Sequence, residues 1–305
     1  MRRKGVAING VLLLDKAYAE TSNAALQTAR RLFNAQKAGH TGTLDPLASG
    51  LLPVTFGEAT KYSADLLHAD KTYIAGVKLG VTTTTGDLEG DFVETKPVHV
   101  TAQELEAVLV KFRGEILQTP PMYSALKRDG QTLYDLARAG IEIEREARQV
   151  RIEKLEVISF ENDLLTIEVT CSKGTYIRVL AEDIGRALGC GAHLASLRRT
   201  RVGALKIEDA VTLEQLKASA PEDLLRYLKP VDALMQTLPA VYLNENDTIR
   251  FCHGQRLALG LQKSDRVRVY GADQQMVGTA RVNERGVLEP ERLIANKKEI
   301  EATND

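Results

Sequence analysis

The order of strand-like and helix-like segments constrains the fold of this 305-residue chain more than any other feature of its sequence. Apolar runs at residues 11–15, 51–56 and 73–79 are typical of strands, and residues 150–159 and 164–171 read as two strands joined by a polar turn. Helices interrupt these strands without a regular β-α-β repeat. We therefore predict an α+β fold, in which helices flank a mixed and largely antiparallel sheet.

The helices are predicted from apolar periodicity and from capping residues. They span residues 22–33, 58–67, 102–112 and 176–188. Either Thr21 or Ser22 can cap the first of them, and Thr101 with Glu104 forms a capping box before the third. Residues 80–91 are rich in threonine and glycine, and we predict that they form a polar loop.

The length of the chain suits one large domain followed by a small one. Pro230 and Pro239 mark a boundary region, and the short strands predicted beyond it form a compact β-rich module. We predict domains at residues 1–235 and 236–305, with the second docked on the first because a module of that size is marginally stable alone.

Composition and charge exclude several classes of protein. The odd number of widely spaced cysteines (Cys171, Cys190 and Cys252) gives no disulfide framework, and the Cys190–His193 pair lacks the further ligands of a zinc site. No apolar run is long enough to cross a membrane, and the basic residues that follow Met1 precede no signal core. A cytoplasmic protein without a bound metal is expected.

Positive charge is local rather than general, since the net charge is −1. Arg198, Arg199 and Arg201 form one basic cluster, and Arg145 begins another. Such clusters usually form solvated faces, so charge alone gives only a minor indication of nucleic-acid binding.

Residues 39–50, with the sequence GHTGTLDPLASG, place a single carboxylate, Asp45, on a glycine-bounded turn. Glycine allows another molecule to approach the backbone closely. His40 precedes Asp45 by five residues, and Pro46 follows it and suits the start of a short helix. Asp45 is therefore either the cap of that helix or a group that takes part in chemistry.

Several chemistries are excluded at Asp45. Ser49 does not lie in the nucleophile pattern of serine hydrolases, the turn lacks the lysine of a phosphate-binding loop, and His40 with Asp45 is too small a set for a metal. A carboxylate that acts at a glycosidic carbon remains.

A second group of candidates lies around Tyr176 and Arg178. Arg178 can pair with a carboxylate such as Asp45 and keep it ionised, whereas Tyr176 and Tyr73 can stack on a nucleobase. The alternative for each tyrosine is an ordinary place in the core. Because the chain has no tryptophan and only 5% aromatic residues, tyrosines near a site carry extra weight.

Taken together, these motifs closely resemble the bacterial TruB family of pseudouridine synthases, along essentially the whole chain. The matching segments are residues 10–16, 39–53, 71–73, 121–127, 171–178 and 189–194. The C-terminal module resembles a PUA RNA-binding domain. One departure is Ala17, which stands where the family usually has proline and which affects no expected site residue.

The resemblance implies a role for each candidate. Asp45 would be the catalytic aspartate, paired with Arg178, and Tyr73 would stack on the target base. His40 would assist nucleotide extrusion. Tyr176 and Leu197 would line the uridine pocket. Lys16 and Asp87 match less well understood positions beside the site.

The implied reaction converts uridine 55 in the T-loop of tRNA to pseudouridine. The target base must be flipped out of its stack before the glycosidic bond breaks and re-forms. Since this isomerisation involves no redox step and no group transfer, no cofactor or metal is expected. The implied partner is the tRNA T-loop and stem, with no guide RNA, no obligate protein partner and a monomeric state.

Two other functions remain open from the sequence. The same scaffold can serve as a non-catalytic RNA-binding or RNA-folding protein, although the set Asp45, Tyr73 and Arg178 argues against that as its sole function. A carboxylate-dependent glycosidase would need a second carboxyl group as general acid, for which Asp87 is the candidate.

Overall fold

An eleven-stranded sheet dominates the computed structural model, which describes residues 5–124, 126–128 and 130–294. The α-helices are α1 (Ser22–Leu32), α2 (Ser63–Leu67), α3 (Ala102–Leu109), α4 (Leu133–Arg138), α5 (Ile177–Ala187), α6 (Leu213–Ala218) and α7 (Glu245–Cys252). The first nine strands are β1 (Gly10–Lys16), β2 (Ala38–His40), β3 (Ala48–Phe56), β4 (Lys71–Leu79), β5 (Val81–Thr83), β6 (Phe92–Thr95), β7 (Gly114–Gln118), β8 (Lys127–Arg128) and β9 (Gln131–Thr132). The next six are β10 (Arg148–Glu161), β11 (Leu164–Cys171), β12 (Ala192–Val202), β13 (Leu205–Lys206), β14 (Val211–Thr212) and β15 (Leu228–Lys229). A separate five-stranded sheet contains β16 (Ala240–Tyr242), β17 (Leu257–Ala258), β18 (Ser264–Tyr270), β19 (Met276–Val282) and β20 (Val287–Leu293).

The large sheet is mixed. Its main order is β14-β1-β3-β12-β4-β11-β10-β7, with β2 beside β3, β15 beside β1 and β13 beside β12. Most neighbours are antiparallel, whereas β1 with β14 and β3 with β12 run parallel. The predicted α+β class with a largely antiparallel sheet is confirmed.

Strand β1 is apolar from Val11 to Leu14 because both of its faces are covered there. Leu12 and Leu14 pack with residues of α1 and α6, whereas Val11 and Leu13 point to the other face and pack with Tyr62 and its neighbours. The alternation of side chains along a strand therefore distributes one apolar run between two cores.

A third core lies on the other half of the sheet, where α3 and α5 cover β4 and β11. Helix α5 contributes Ile177, Leu180 and Ile184 to this core. Tyr73 and Leu197 pack at its margin and stay half-buried. The helix that carries Arg178 is thus held firmly against the sheet.

Two predictions about local structure were wrong in part. Residues 80–91 are not wholly a loop, since β5 pairs with β6 in a hairpin, as β-branched threonines allow. Residues 58–67 form a 3₁₀ segment, Gly57–Tyr62, before α2. There the Thr60 hydroxyl donates to the Gly57 carbonyl oxygen at 2.7 Å, which competes with regular helical bonding. The capping box of Thr101 and Glu104 is confirmed.

Residues 240–294, here called the C-terminal unit, have their own apolar core and contact the helical segment of residues 57–67. Arg266 forms an ion pair with Asp65, and the Tyr62 hydroxyl donates to the Arg292 carbonyl oxygen at 3.2 Å. The division at residues 235 and 236 stays a prediction. Within the described residues, no helix has the length and apolar character needed to cross a membrane.

Candidate active site

The turn that carries Asp45 joins β2 to β3 and lies beside the start of α1. The Ala48 amide donates to the Asp45 carbonyl oxygen at 3.0 Å, and the chain enters β3 at once. The predicted helix start at Pro46 is therefore wrong, because pairing of Ala48 with Leu197 of β12 extends the chain instead. Capping of a helix does not explain Asp45.

Ser22 fixes this turn from the first turn of α1. Its Oγ accepts from the Leu44 amide at 2.8 Å and donates to the Leu44 carbonyl oxygen at 2.9 Å, and both bonds are buried. Thr21 is the residue that caps α1, through the Ala24 amide. Of the two capping candidates, Thr21 caps the helix, and Ser22 binds Leu44, the residue next to Asp45.

Lys16 supports the same turn from the end of β1. Its side chain is fully buried, and its Nζ donates to the carbonyl oxygens of Ala17 at 2.8 Å and Glu20 at 2.6 Å, with a longer bond to Pro46 at 3.5 Å. Burial lowers the pKa of Lys16. Lys16 therefore supports the loops around Asp45 through backbone groups.

Arg178 links two carboxylates from different loops. Its Nη2 donates to Asp45 Oδ2 at 2.8 Å, and its Nε lies 3.0 Å from Asp87 Oδ2. The Arg178 and Asp87 side chains are 8% and 11% exposed, but Asp45 is 59% exposed. The guanidinium is thus inside the protein and orients a carboxylate that is open to solvent. The predicted pairing of Asp45 with Arg178 is present.

Asp87 is held by further contacts as well as by Arg178. It accepts hydrogen bonds from the Thr85 hydroxyl and from the Glu89 amide, the latter at 3.0 Å. A carboxylate that accepts from two donors and faces a guanidinium is arranged as a charged group. This arrangement does not suit the general acid that a glycosidase would require.

Leu197 lies with Asp45 in a small cleft. Leu47, Asp87 and Leu194 also line this cleft, so that its walls are apolar around two carboxylates. Tyr73, on β4, lies directly opposite Arg199 of β12. Tyr176 precedes α5, and Gln118 binds both its amide, at 2.7 Å, and its carbonyl oxygen, at 3.1 Å.

His40 is the last residue of β2. Its Nδ1 is buried without a hydrogen-bond partner in the part of the chain that the structure describes. Burial lowers the pKa of His40, and the nearby Arg199 charge lowers it further. No hydrogen bond or ion pair joins His40 to Asp45 among the described residues.

Comparison with known proteins identifies the family. Residues 30–177 match the N-terminal domain of the TruB family pseudouridylate synthases, and residues 178–236 and 239–294 match two TruB C-terminal domains. The chain is 57% identical over 295 residues to tRNA pseudouridine synthase B of Burkholderia mallei (strain NCTC 10247), covering 94% of this chain and 97% of that one. The chain belongs to the TruB family.

Other TruB relatives and related structures agree. tRNA pseudouridine synthase B of Ralstonia nicotianae is 54% identical over 297 residues, covering 94% of each chain. Among solved structures, a chain of a Cbf5-Nop10-Gar1 complex is similar with a TM-score of 0.72 and 27% identity, covering 95% of this chain and 86% of that one. A chain of an H/ACA RNP bound to a substrate RNA containing 2′-deoxyuridine has a TM-score of 0.72 and 26% identity, covering 94% and 86%.

One buried residue of this TruB chain escaped the sequence reasoning. Arg199 belongs to the predicted basic cluster, yet it is 1% exposed, and its neighbour Arg198 is paired with Asp15 at 2.7 Å. The expectation of a solvated basic face is therefore wrong at Arg199, whereas the Arg198 side chain stays 43% exposed. The available signal was alternation, since Arg199 lies two residues after Leu197 on one strand.

Proposed function

We propose that this protein isomerises uridine 55 in the T-loop of tRNA to pseudouridine, with Asp45 as the catalytic residue. The reaction cleaves the C1′–N1 bond, turns the base and forms the C1′–C5 bond; C5 then loses its proton and N1 gains one, so that the product is an isomer of uridine. The observation that carries the assignment is the Arg178 bridge between Asp45 and Asp87. It holds one solvent-facing carboxylate in a fixed direction at the mouth of an apolar cleft.

Asp45 must be ionised to attack the ribose or the base, or to stabilise positive charge at C1′. Arg178 supports this state in the complex, where a flipped nucleotide would cover the carboxylate and remove its water. A buried guanidinium already in position needs no rearrangement when charge develops. We propose that Arg178 acts in this way on bound substrate.

The other predicted residues are proposed to bind the flipped nucleotide. Extrusion of a base costs a few kcal/mol, and aromatic and apolar contacts offset that cost. Tyr73 is assigned to stacking on the target uracil, and Tyr176 and Leu197 to the walls of its pocket. His40 is assigned to the space that the nucleotide leaves, where its lowered pKa favours a neutral imidazole.

Further parts of the proposal concern the setting of the reaction. The protein is proposed to act as a cytoplasmic monomer without guide RNA, protein partner, cofactor or metal, and residues 236–305 to contact RNA as a PUA-like domain. Purified protein with tRNA transcript as the sole other macromolecule, assayed in EDTA, tests whether guide RNA, a protein partner, a cofactor or a metal is needed. A requirement for an added factor would contradict this part of the proposal.

The decisive experiment uses a tRNA transcript with tritium at uridine C5. Wild-type protein should release tritium in proportion to the modified uridine, and Asp45→Asn should release none. A transcript with cytidine at position 55 is the matched control for the site. Free uracil would instead indicate a glycosidase, and binding without either product would indicate a non-catalytic RNA-binding protein.

A further inference from the structure

Arg199 is a buried cation that binds backbone carbonyl groups. Its Nε donates to the Leu51 carbonyl oxygen at 2.8 Å, and its Nη2 donates to that of Gly42 at 3.2 Å. A longer bond of 3.5 Å joins Nη1 to the Thr43 carbonyl oxygen. Within the described part of the chain, no carboxylate lies within ion-pair distance of Arg199. A buried charge without a counter-ion is costly, so its persistence calls for a specific role.

The acceptors of Arg199 come from the two ends of the segment that contains Asp45. Gly42 and Thr43 precede Asp45 in the turn, and Leu51 follows it in β3. One planar guanidinium therefore binds carbonyl groups on both sides of Asp45 in the sequence. A planar fork can donate in several fixed directions at once, which a lysine ammonium cannot do with the same geometry.

The backbone of Arg199 is fixed as tightly as its side chain. On one side it pairs in parallel with Gly50 of β3, and on the other it pairs with Tyr73 of β4. Gly50 has φ +102°, and a Cβ there would lie 2.3 Å from the Arg199 carbonyl oxygen, so only glycine permits this approach. Arg199 is thus the point at which the Asp45 turn meets the strand of Tyr73.

We propose that Arg199 is a positioning residue, which sets the Asp45 turn in register with Tyr73 by binding the carbonyl groups on both sides of Asp45. The inference rests on the proposed function, because it assigns Asp45 and Tyr73 to one reaction. Arg199 touches no reacting atom in this assignment. It acts through the backbone of the turn.

Arg199 also acts on two side chains of the proposed site, His40 and Tyr73, and it shares a hydrogen bond with the Tyr73 side chain. It lowers the pKa of His40, and it opposes the rise that burial causes in the pKa of Tyr73. Both side chains are assigned to the flipped nucleotide. The guanidinium therefore acts on the Asp45 turn, on His40 and on Tyr73, and it does not itself contact the flipped nucleotide in this assignment.

The test compares Arg199→Lys and Arg199→Gln with Arg113→Lys. Arg113 is a matched control, because its Nε and Nη2 also donate to a backbone carbonyl oxygen, that of Leu155, at 3.0 and 2.8 Å, in a strand outside the site. The single-turnover rate of tritium release and the Kd for tRNA are measured with folded protein, well below the unfolding temperature of each variant.

Both Arg199 variants should lower the single-turnover rate by about 100-fold, as expected when a reacting group is misplaced by about 1 Å. The Kd for tRNA should stay within about twofold, as expected for a group that acts on the transition state and not on binding. Arg113→Lys should leave both values unchanged. A normal rate in Arg199→Lys, or a loss that is confined to binding, would overturn the proposal.

A second readout does not depend on the reaction. Hydrogen–deuterium exchange should rise in residues 41–48 of both Arg199 variants and stay unchanged there in Arg113→Lys. Unchanged exchange in that segment would also overturn the proposal, even if the rate fell. If wild-type protein releases no tritium but exchange rises as expected, the proposed function fails while the positioning of the turn stands.

Discussion

At the scale of single residues, the site combines an exposed carboxylate with a buried guanidinium. Asp45 is open to solvent, and Arg178, which orients it, is almost fully enclosed. An exposed ion pair usually contributes little to stability, because water screens it. The contact of Arg178 with Asp87 is buried on both sides, so the same guanidinium has a structural and a proposed catalytic partner.

Arg178→Ala should therefore affect both stability and turnover. Asp87 would be left buried without its counter-ion, and removal of one partner of a buried pair costs about 3–5 kcal/mol. The single-turnover rate should fall far more than the affinity for tRNA. Urea unfolding and filter binding test the two effects, and an equal loss of rate and affinity would contradict the assigned role.

His40 should make the protein less stable in mild acid. Its pKa is lowered in the folded state, so below about pH 6.5, the usual imidazole pKa, the unfolded chain binds the proton first and stability falls. His40→Gln should lose less stability than wild type between about pH 7.5 and about pH 5. Parallel pH profiles from urea unfolding of the two proteins would disprove this.

At the scale of elements, adjacent residues at the start of α1 have separate tasks. Thr21 caps the helix in solvent, and Ser22 binds Leu44 in the interior. Ser22→Ala leaves the buried Leu44 amide and carbonyl without partners, at a cost of about 1–3 kcal/mol. Thr21→Ala should cost about 1 kcal/mol by loss of the cap.

These two variants separate stability from positioning. Both should lower the free energy of unfolding, but only Ser22→Ala should lower the single-turnover rate, because Leu44 adjoins Asp45. Thr21→Ala is the matched control. A fall in rate for both variants, or for neither, would show that the Leu44 contacts do not position the turn.

The elements also show how far the sequence can be interpreted. Strands β1 and β11 and the capping box of α3 follow from local pattern alone, whereas the pairing of Asp45 with Arg178, 133 residues apart, is predicted from the resemblance to the TruB family. The role of Arg199 does not follow. It depends on β12 lying between β3 and β4, a register that joins segments about 150 residues apart and that no local pattern contains.

The turn at Pro46 and Leu47, which leads directly into β3, has the same origin. Pro46 suits a helix start as well as a turn, and only the parallel pairing of β3 with β12 decides between them. Similarly, the threonines of residues 80–91 suit either a loop or a hairpin, and pairing with β6 selects the hairpin.

At the scale of the whole molecule, the C-terminal unit should unfold together with the main sheet. Asp65 pairs with Arg266 across the contact, and both are largely buried. Asp65→Ala should split one calorimetric transition into two and leave the single-turnover rate unchanged, since the contact lies outside the site. Asp70→Ala removes a more exposed pair with Arg151 and is the control.

The position of β1 in the sheet has a consequence for synthesis on the ribosome. β1 pairs early with β3, but its other edge waits for β14 and β15, which emerge almost 200 residues later. Until then, the nascent chain presents an apolar strand with an unpaired edge, which is prone to associate with other chains. This topology therefore requires that residues 10–16 be protected during synthesis, either by a chaperone or by the pace of translation.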